Sequence, residues 1–524
     1  MHSDDTTQDY ADEAEAMESI SRIVSPHGPA LLDIYFRVVH PSFPIIQKHV
    51  FMDRIRRGES KNIAPSLLAG MYLLALNWWN FDNSLVKHQR PDVARLDAIA
   101  SKSLSQAMQR PKLSTVQAGL LLLQRPEADS WSLTTQLVAI GQELGLHLDC
   151  SDWEIPQWER SLRKRIAWAL YMQDKWSSLI HGRPSHIFSA NWAVKPITED
   201  DNAFDNQVNP NIGSENENEK EEMEQGHVLF SHMIALTGIM AEVMDTFYTQ
   251  TAIRDFAKAG SKSTEMILER AKPVQIKLKE WFTKMPPCVR MENVQKGRLA
   301  PAGFLHLAYF ATEITLHRRI VQSLSNDTSK PYLLYICRSA AKTRLISAMD
   351  FVNRLRPEHL QAFWYFPSKI NFTLIGTFGG LLLATAPAKE EADFYKTRLQ
   401  EYRWTLSVSS NRAEFLDYAV QMLDTSRAML RNLQEKPSLA ASHISSVGVP
   451  DSSMAKPPGP ESTQSMEDIT MGEDTPPLTR TTSLSNASVS VFSGFSTDAA
   501  LEQYSATSRD AGESPEAITP KSSA

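Results

Sequence analysis

A chain of 524 residues, 42% of them hydrophobic, carries enough apolar material for two or three domains, or for one large helical domain with tails. Its formal net charge of −7 argues against a surface held to DNA chiefly by neutralised phosphates. Three widely separated cysteines (Cys150, Cys288 and Cys337) argue against a disulfide framework, and an acidic N-terminus lacks the basic character of a signal or transit peptide.

Residues 1–27 read as a disordered acidic tail. From Ala30 the pattern turns helical, with Leu31, Leu32, Tyr35, Phe36 and Val39 at three- and four-residue spacing, until Pro41 and Pro44 stop it. Further helical runs cover 66–79, 93–109, 113–124, 132–144 and 156–180, and strand-like alternation is scarce. A polar stretch over 198–225, containing SENENEKEEMEQ, reads as an exposed acidic loop. Helical patterning resumes at His227 and continues to about residue 435, so the expectation is an all-α body over 28–435. Two charge-free runs, 62–81 and 370–388, read as buried helices of that body rather than membrane spans. From 436 to 524, Ser, Thr, Pro, Gly and Asp dominate and the segment reads as a disordered tail. In it, SMEDITMGED has the acidic-hydrophobic mixture of activation segments, and Thr475, Ser514 and Thr519 each precede a proline as candidate phosphosites.

The motifs of catalysis are missing. HExxH, GxSxG, GxGxxG and a phosphate-loop lysine do not occur, and Gly260-Ser261-Lys262-Ser263 reads as a polar turn. Asp201 and Asp205 have the spacing of a magnesium-binding aspartate pair on a helix, but Asn326-Asp327 is followed by Lys330 where a partner motif needs a hydroxyl. His147 and His181 fall near helix ends and read as packing or capping residues. Arg163-Lys164-Arg165 reads as a solvated helix face, with a nuclear-localisation fragment or a phosphate contact as alternatives. No catalytic residue, metal ligand or cofactor is expected in this chain.

Two stretches carry a family resemblance. In LLDIYFRVVHPSFPIIQKHVF a Leu/Tyr/Phe-rich helix leads into the turn His40-Pro41-Ser42-Phe43-Pro44-Ile45. In the second, Leu144-Gly145-Leu146-His147 ends a helix. A longer helix follows with Glu159, Arg163, Arg165, Trp168, Tyr171 and Asp174, punctuated by Gly182-Arg183-Pro184. Both resemble the fungal-specific transcription factor domain, the regulatory domain of zinc-cluster transcription factors. Ala167-Trp168 stands where many members have two tryptophans, and Lys175 where arginine often follows the aspartate. On their own terms, Leu162, Ile166 and Leu170 form one apolar stripe and Trp168, Met172, Trp176 and Leu179 a second. A helix apolar on two faces sits deep in a stack. The signature therefore reads first as structural, with Arg183 reaching the last carbonyls of the helix or a carboxylate such as Asp174. Further on, HLQAFWYFPSKINFTLIGTFGGLLLATA, FYKTRLQEYRWTLSV and AEFLDYAVQMLD resemble the TamA type of nitrogen-catabolism regulator.

The resemblance implies a nuclear, non-enzymatic regulator of RNA polymerase II transcription, concerned with nitrogen or carbon metabolism. Its partners would be other transcription factors or co-regulators, as a homo- or heterodimer, with no membrane and with room for a small-molecule effector. Family members bind DNA through a cluster of six cysteine thiolates within about thirty residues. Three scattered cysteines cannot build it, so zinc and direct DNA contact are expected only through a module outside these residues. The competing readings are a metabolite-binding or protein-interaction domain, and an inactive paralogue.

Overall fold

The computed structural model describes residues 8–59, 62–125, 130–203, 217–294, 298–324, 331–410, 413 and 415–434. Among them every regular element is helical, in agreement with the all-α expectation. The described residues through Thr425 form one compact unit, and those from Ser426 to Gln434 fall in a second. Thr475, Ser514, Thr519 and the whole 436–524 tail lie outside the described residues.

The chain opens with helix α1 (Gln8–Val24), where a disordered tail was expected. Glu13, Glu15 and Glu18 are exposed, while Ile20 and Val24, one turn apart, are buried. The helix packs on α4 (Pro65–Ala75) and α5 (Val93–Ala107), and Gln106 donates to Asp12 at 2.7 Å. Acidity alone was misleading here, because one apolar stripe suffices to dock a helix. Helix α2 (Gly28–Ile34) runs into a wide π-helical turn, Tyr35–Val39, ahead of Pro41. Short α3 (Lys48–Arg56) follows.

Helix α4 starts on Pro65 and is buried along its whole length, so it packs against α2, α5 and α6 (Leu113–Leu123) on different sides. Helix α7 (Ser130–Glu143) lies against α6 and α8 (Gln157–His181). Pro156 precedes α8 and Glu159 favours its first turn; Gly182, at φ 61°, takes the left-handed cap that closes it.

The second departure from expectation lies in the acidic segment. Within 198–225, α9 (Glu199–Ala203) is a short helix, and α10 (Glu217–Phe247) has its first turns made from the acidic run itself. Met223 and His227 are buried one turn apart, and Arg298 pairs with Glu221 at 2.8 Å and Glu222 at 3.3 Å. Helices α11 (Gln250–Ala259) and α12 (Ser263–Thr283) pack beside α10, and Gly260 to Lys262 is a 3-10 turn between them.

The remaining helices are α13 (Ala302–Gln322), α14 (Pro331–Asn353), α15 (Pro357–Leu360), α16 (Ser368–Ala384), α17 (Lys389–Ser410) and α18 (Phe415–Gln434), with α13 at the centre of the contacts. Helix α13 touches α10, α12, α14, α15 and α16. The two charge-free runs are α4 and α16, both largely buried. Among the described residues one helical stretch, Glu219–Phe247 in α10, is long and apolar enough to cross a membrane by length and composition. Half of its most apolar window is buried by neighbouring helices such as α8, α12 and α13.

Candidate functional site

The signature residues converge, and what they converge on is a polar seam inside the fold. The turn after the π-helical segment places Phe43 in the core against Phe363 and Tyr365, at ring distances of 6.2 and 5.4 Å. The backbone of the turn is held by side chains from distant elements. Tyr365 donates its hydroxyl to the Ser42 carbonyl at 2.5 Å, and Gln117 donates to the Ile45 carbonyl at 2.5 Å. Gly226 of α10 lies so close to the Pro41 carbonyl that a Cβ there would stand 2.1 Å from it. Pro41 and Pro44 thus shape a loop that three other segments hold.

His40 is fully buried in this turn, and neither ring nitrogen meets a protein partner among the described residues. Burial first, then Arg165, Lys48 and His227, hold its pKa well below the usual imidazole range. His227 of α10 is held down to about 3 by burial and by Arg165. Both rings are therefore neutral.

Helix α8 supplies the other side. Arg165 is fully buried and donates to Gln47 at 2.6 Å, joining the two signature stretches across 118 residues of sequence. Lys164 pairs with Asp201 at 3.1 Å, and Ser161 and the Thr198 backbone N–H also donate to that carboxylate. Arg163 pairs with Glu159 at 3.0 Å, donates to the Leu144 carbonyl and lies over the Trp153 ring at 5.2 Å. The expected solvated basic face is thus corrected: each of the three cations has its own partner within the fold, Arg165 and Lys164 with buried ones and Arg163 with half-buried Glu159. Asp201 serves as a counter-ion for Lys164 and a cap for α9, while Asp205 lies outside the described residues.

Asp174, also fully buried, accepts from the Ser185 hydroxyl, from the backbone N–H groups of His186 and Ile187, and lies 2.9 Å from the His186 ring. It fastens the loop after Gly182-Arg183-Pro184. Arg183 does not reach it; the guanidinium is exposed and lies 5.3 Å over the Trp131 ring. Trp168 donates to the Lys195 carbonyl and meets Tyr171 edge-on at 5.4 Å. Gly145, at φ 73°, makes the left-handed turn that ends α7, and the His147 carbonyl accepts from Ala193.

Several residues of the seam carried no motif. Lys175 donates to Ser185 at 2.7 Å and to the Ile187 carbonyl at 2.6 Å, and burial lowers its pKa although Asp174 and Asp245 raise it. Gln124 donates to Gln173 at 3.1 Å and accepts from the Phe366 N–H; Gln173 donates on to Thr134. Glutamines inside otherwise apolar helical runs were the available signal.

Zinc, which the family resemblance raised, does not fit these residues. Cys150 donates its thiol to the Arg160 carbonyl, and burial pushes the Cys337 thiol up to about 12, far from a thiolate ligand. Among the described residues no three His, Cys, Asp or Glu side chains group as a metal site.

The signature stretches thus meet at a polar seam inside a helical stack. Residues 32–283 match the fungal specific transcription factor domain. The Saccharomyces cerevisiae transcriptional activator protein DAL81 is 39% identical over 447 residues, covering 79% of this chain and 45% of that protein. The cutinase transcription factor 1 alpha of Fusarium vanettenii is 27% identical, over 55% of this chain and 30% of its own length. An acetamidase regulatory protein of Aspergillus fumigatus is 24% identical, over 64% and 41% respectively. The chain thus spans less than half the length of each of these relatives. No solved structure matches it.

Proposed function

We propose that this chain regulates RNA polymerase II transcription of nitrogen- or carbon-metabolism genes in the nucleus, as a non-catalytic helical regulator acting through other transcription factors or co-regulators. The observation that carries the reading is where its basic cluster goes. Arg163, Lys164 and Arg165 are each tied to partners within the fold, leaving them unsuited to holding DNA phosphates. Contact with DNA then comes through a partner or a separate zinc-cluster module. Relatives described as a transcriptional activator and as an acetamidase regulator support the metabolic assignment. Thr475, Ser514 and Thr519 are proposed as modification sites that tune the activity.

The test is to fuse the full chain to a heterologous DNA-binding module and read a reporter gene. The expected result is altered reporter output that depends on the folded helical body and is lost in a core-disrupting variant. Unchanged output from both the full chain and its C-terminal tail would remove the main support.

A further inference from the structure

Two clefts open beside the aromatic segment that leads from α15 to α16, and they share Trp78, Phe81 and residues 361–363. Trp78 stands at the common wall, its indole N–H donating to the Gln361 carbonyl at 2.6 Å. The larger cleft, about 300 Å³, neutralises its own charge: Arg37 meets Asp82 at 3.2 Å, and Arg298 meets Glu222 at 3.3 Å. The smaller, about 180 Å³, is different. Arg90 and Lys369 line it, and no Asp or Glu does so among the described residues. Arg90 donates to the Leu76 carbonyl at 3.2 Å and has no carboxylate partner among the described residues.

The walls of this smaller cleft are aromatic. Trp78, Trp364 and Phe415 line it, with the Trp364 and Phe415 rings 5.4 Å apart. The Trp364 N–H is already spent on the His359 carbonyl, and Tyr365 is spent on Ser42, so those rings offer apolar surface. The volume exceeds the roughly 150 Å³ of a cavity that holds benzene. A flat apolar body suits such walls, and a planar guanidinium matches a carboxylate in two-point geometry. Gln124 also lines the cleft, and through Gln173 it is hydrogen-bonded to α8. The cleft is therefore in direct contact with the polar seam.

We propose that the smaller cleft binds a small organic carboxylate with a ring-sized apolar body, the carboxylate on Arg90 and the ring against the Trp78, Trp364 and Phe415 wall. The inference stands apart from the transcriptional reading, since it is a property of the chain in solution.

Isothermal titration of the full chain with phenylacetate and indole-3-acetate, and with neutral indole for comparison, tests it. Saturable binding is expected for a carboxylate probe, weakened about tenfold or more by Arg90→Gln and partly restored by Arg90→Lys. Indole binds more weakly than indole-3-acetate by a similar factor. Arg37→Gln, in the neighbouring cleft, leaves the affinity of the carboxylate unchanged. Absence of saturable binding by either carboxylate at millimolar concentration overturns the proposal. So does an Arg90→Gln protein that binds like the parent, or an equal loss on Arg37→Gln. Both arginines are solvent-exposed and make few contacts, so these variants retain the fold.

Discussion

The seam built by α8 and the His40–Gln47 turn, and the packing of α16 with α13, α17 and Leu423 of α18, are two ways of holding helices together. In the first, buried polar groups need particular partners: Arg165 needs Gln47, Lys164 needs Asp201, and Asp174 needs the N–H groups of the 186–187 backbone. In the second, close glycines let apolar side chains interlock, beside only a few polar ties such as Arg403 to Asp424 and Tyr402 to the Phe372 carbonyl. A Cβ on Gly376 would stand 2.3 Å from Leu423, and one on Gly379 would stand 2.8 Å from Leu399. Polar partners cannot be exchanged without stranding a buried charge or donor, whereas apolar volumes can be traded among neighbours. The match to the family domain ends at residue 283, where α12 ends, although the compact unit continues to Thr425.

The sharpest way to break this contrast is to strand donors in the seam. Asp174→Ala leaves the His186 and Ile187 backbone N–H groups without their acceptor and the Ser185 hydroxyl with only the Ile187 carbonyl. The expected loss is roughly 3–5 kcal/mol of unfolding free energy, read from urea denaturation. A Leu416→Ala variant, at a fully buried position of α18, would lose about 2–4 kcal/mol by cavity formation and strand no polar group.

Gly226→Ala sharpens the comparison from the side of close approach. Its methyl would meet the Pro41 backbone, which cannot rotate away, while a methyl on Gly379 would meet the movable end of Leu399. The expected cost at Gly226 is about 2–3 kcal/mol, and at Gly379 about 1 kcal/mol, by thermal or urea unfolding.

A smaller effect concerns pH and involves both halves. His227 in the seam is held to about 3 by burial and Arg165, and His317 in α13 to about 3 by burial and Arg344. An imidazole depressed in the folded state stays neutral where the unfolded chain takes up a proton. Stability is thus complete above about pH 6.5 and falls as pH drops from there toward 3, by roughly 1.4 kcal/mol per histidine at pH 5.5. Urea titrations between pH 7.5 and about 5 should show the slope reduced in His227→Gln and in His317→Gln by similar amounts. An unchanged slope in either variant would mean that its ring is protonated in the fold.

Much of this architecture was legible in the residues. The 3.6-residue pattern located most helices, Gly182 and Pro156 bounded α8, and the charge-free runs proved to be the interior helices α4 and α16. Acidic segments were misread because charge records which face is solvated, not whether a second face is buried. Ile20 and Val24 in α1, and Met223 and His227 in α10, are the faces that decided it. The basic triplet was misread for a related reason: consecutive residues on a helix point in three directions, and here each direction holds a different partner. Partners 37 or 118 residues away leave no mark in local spacing.

The central claim, that the two signature stretches are one structural joint, is tested most directly by a double-mutant cycle between Arg165 and Gln47. Arg165→Met and Gln47→Leu, singly and together in the full chain, are compared by urea unfolding. A coupling energy of about 1.5–3 kcal/mol is expected for a buried, charge-assisted hydrogen bond. Additivity to within about 0.5 kcal/mol would contradict the account.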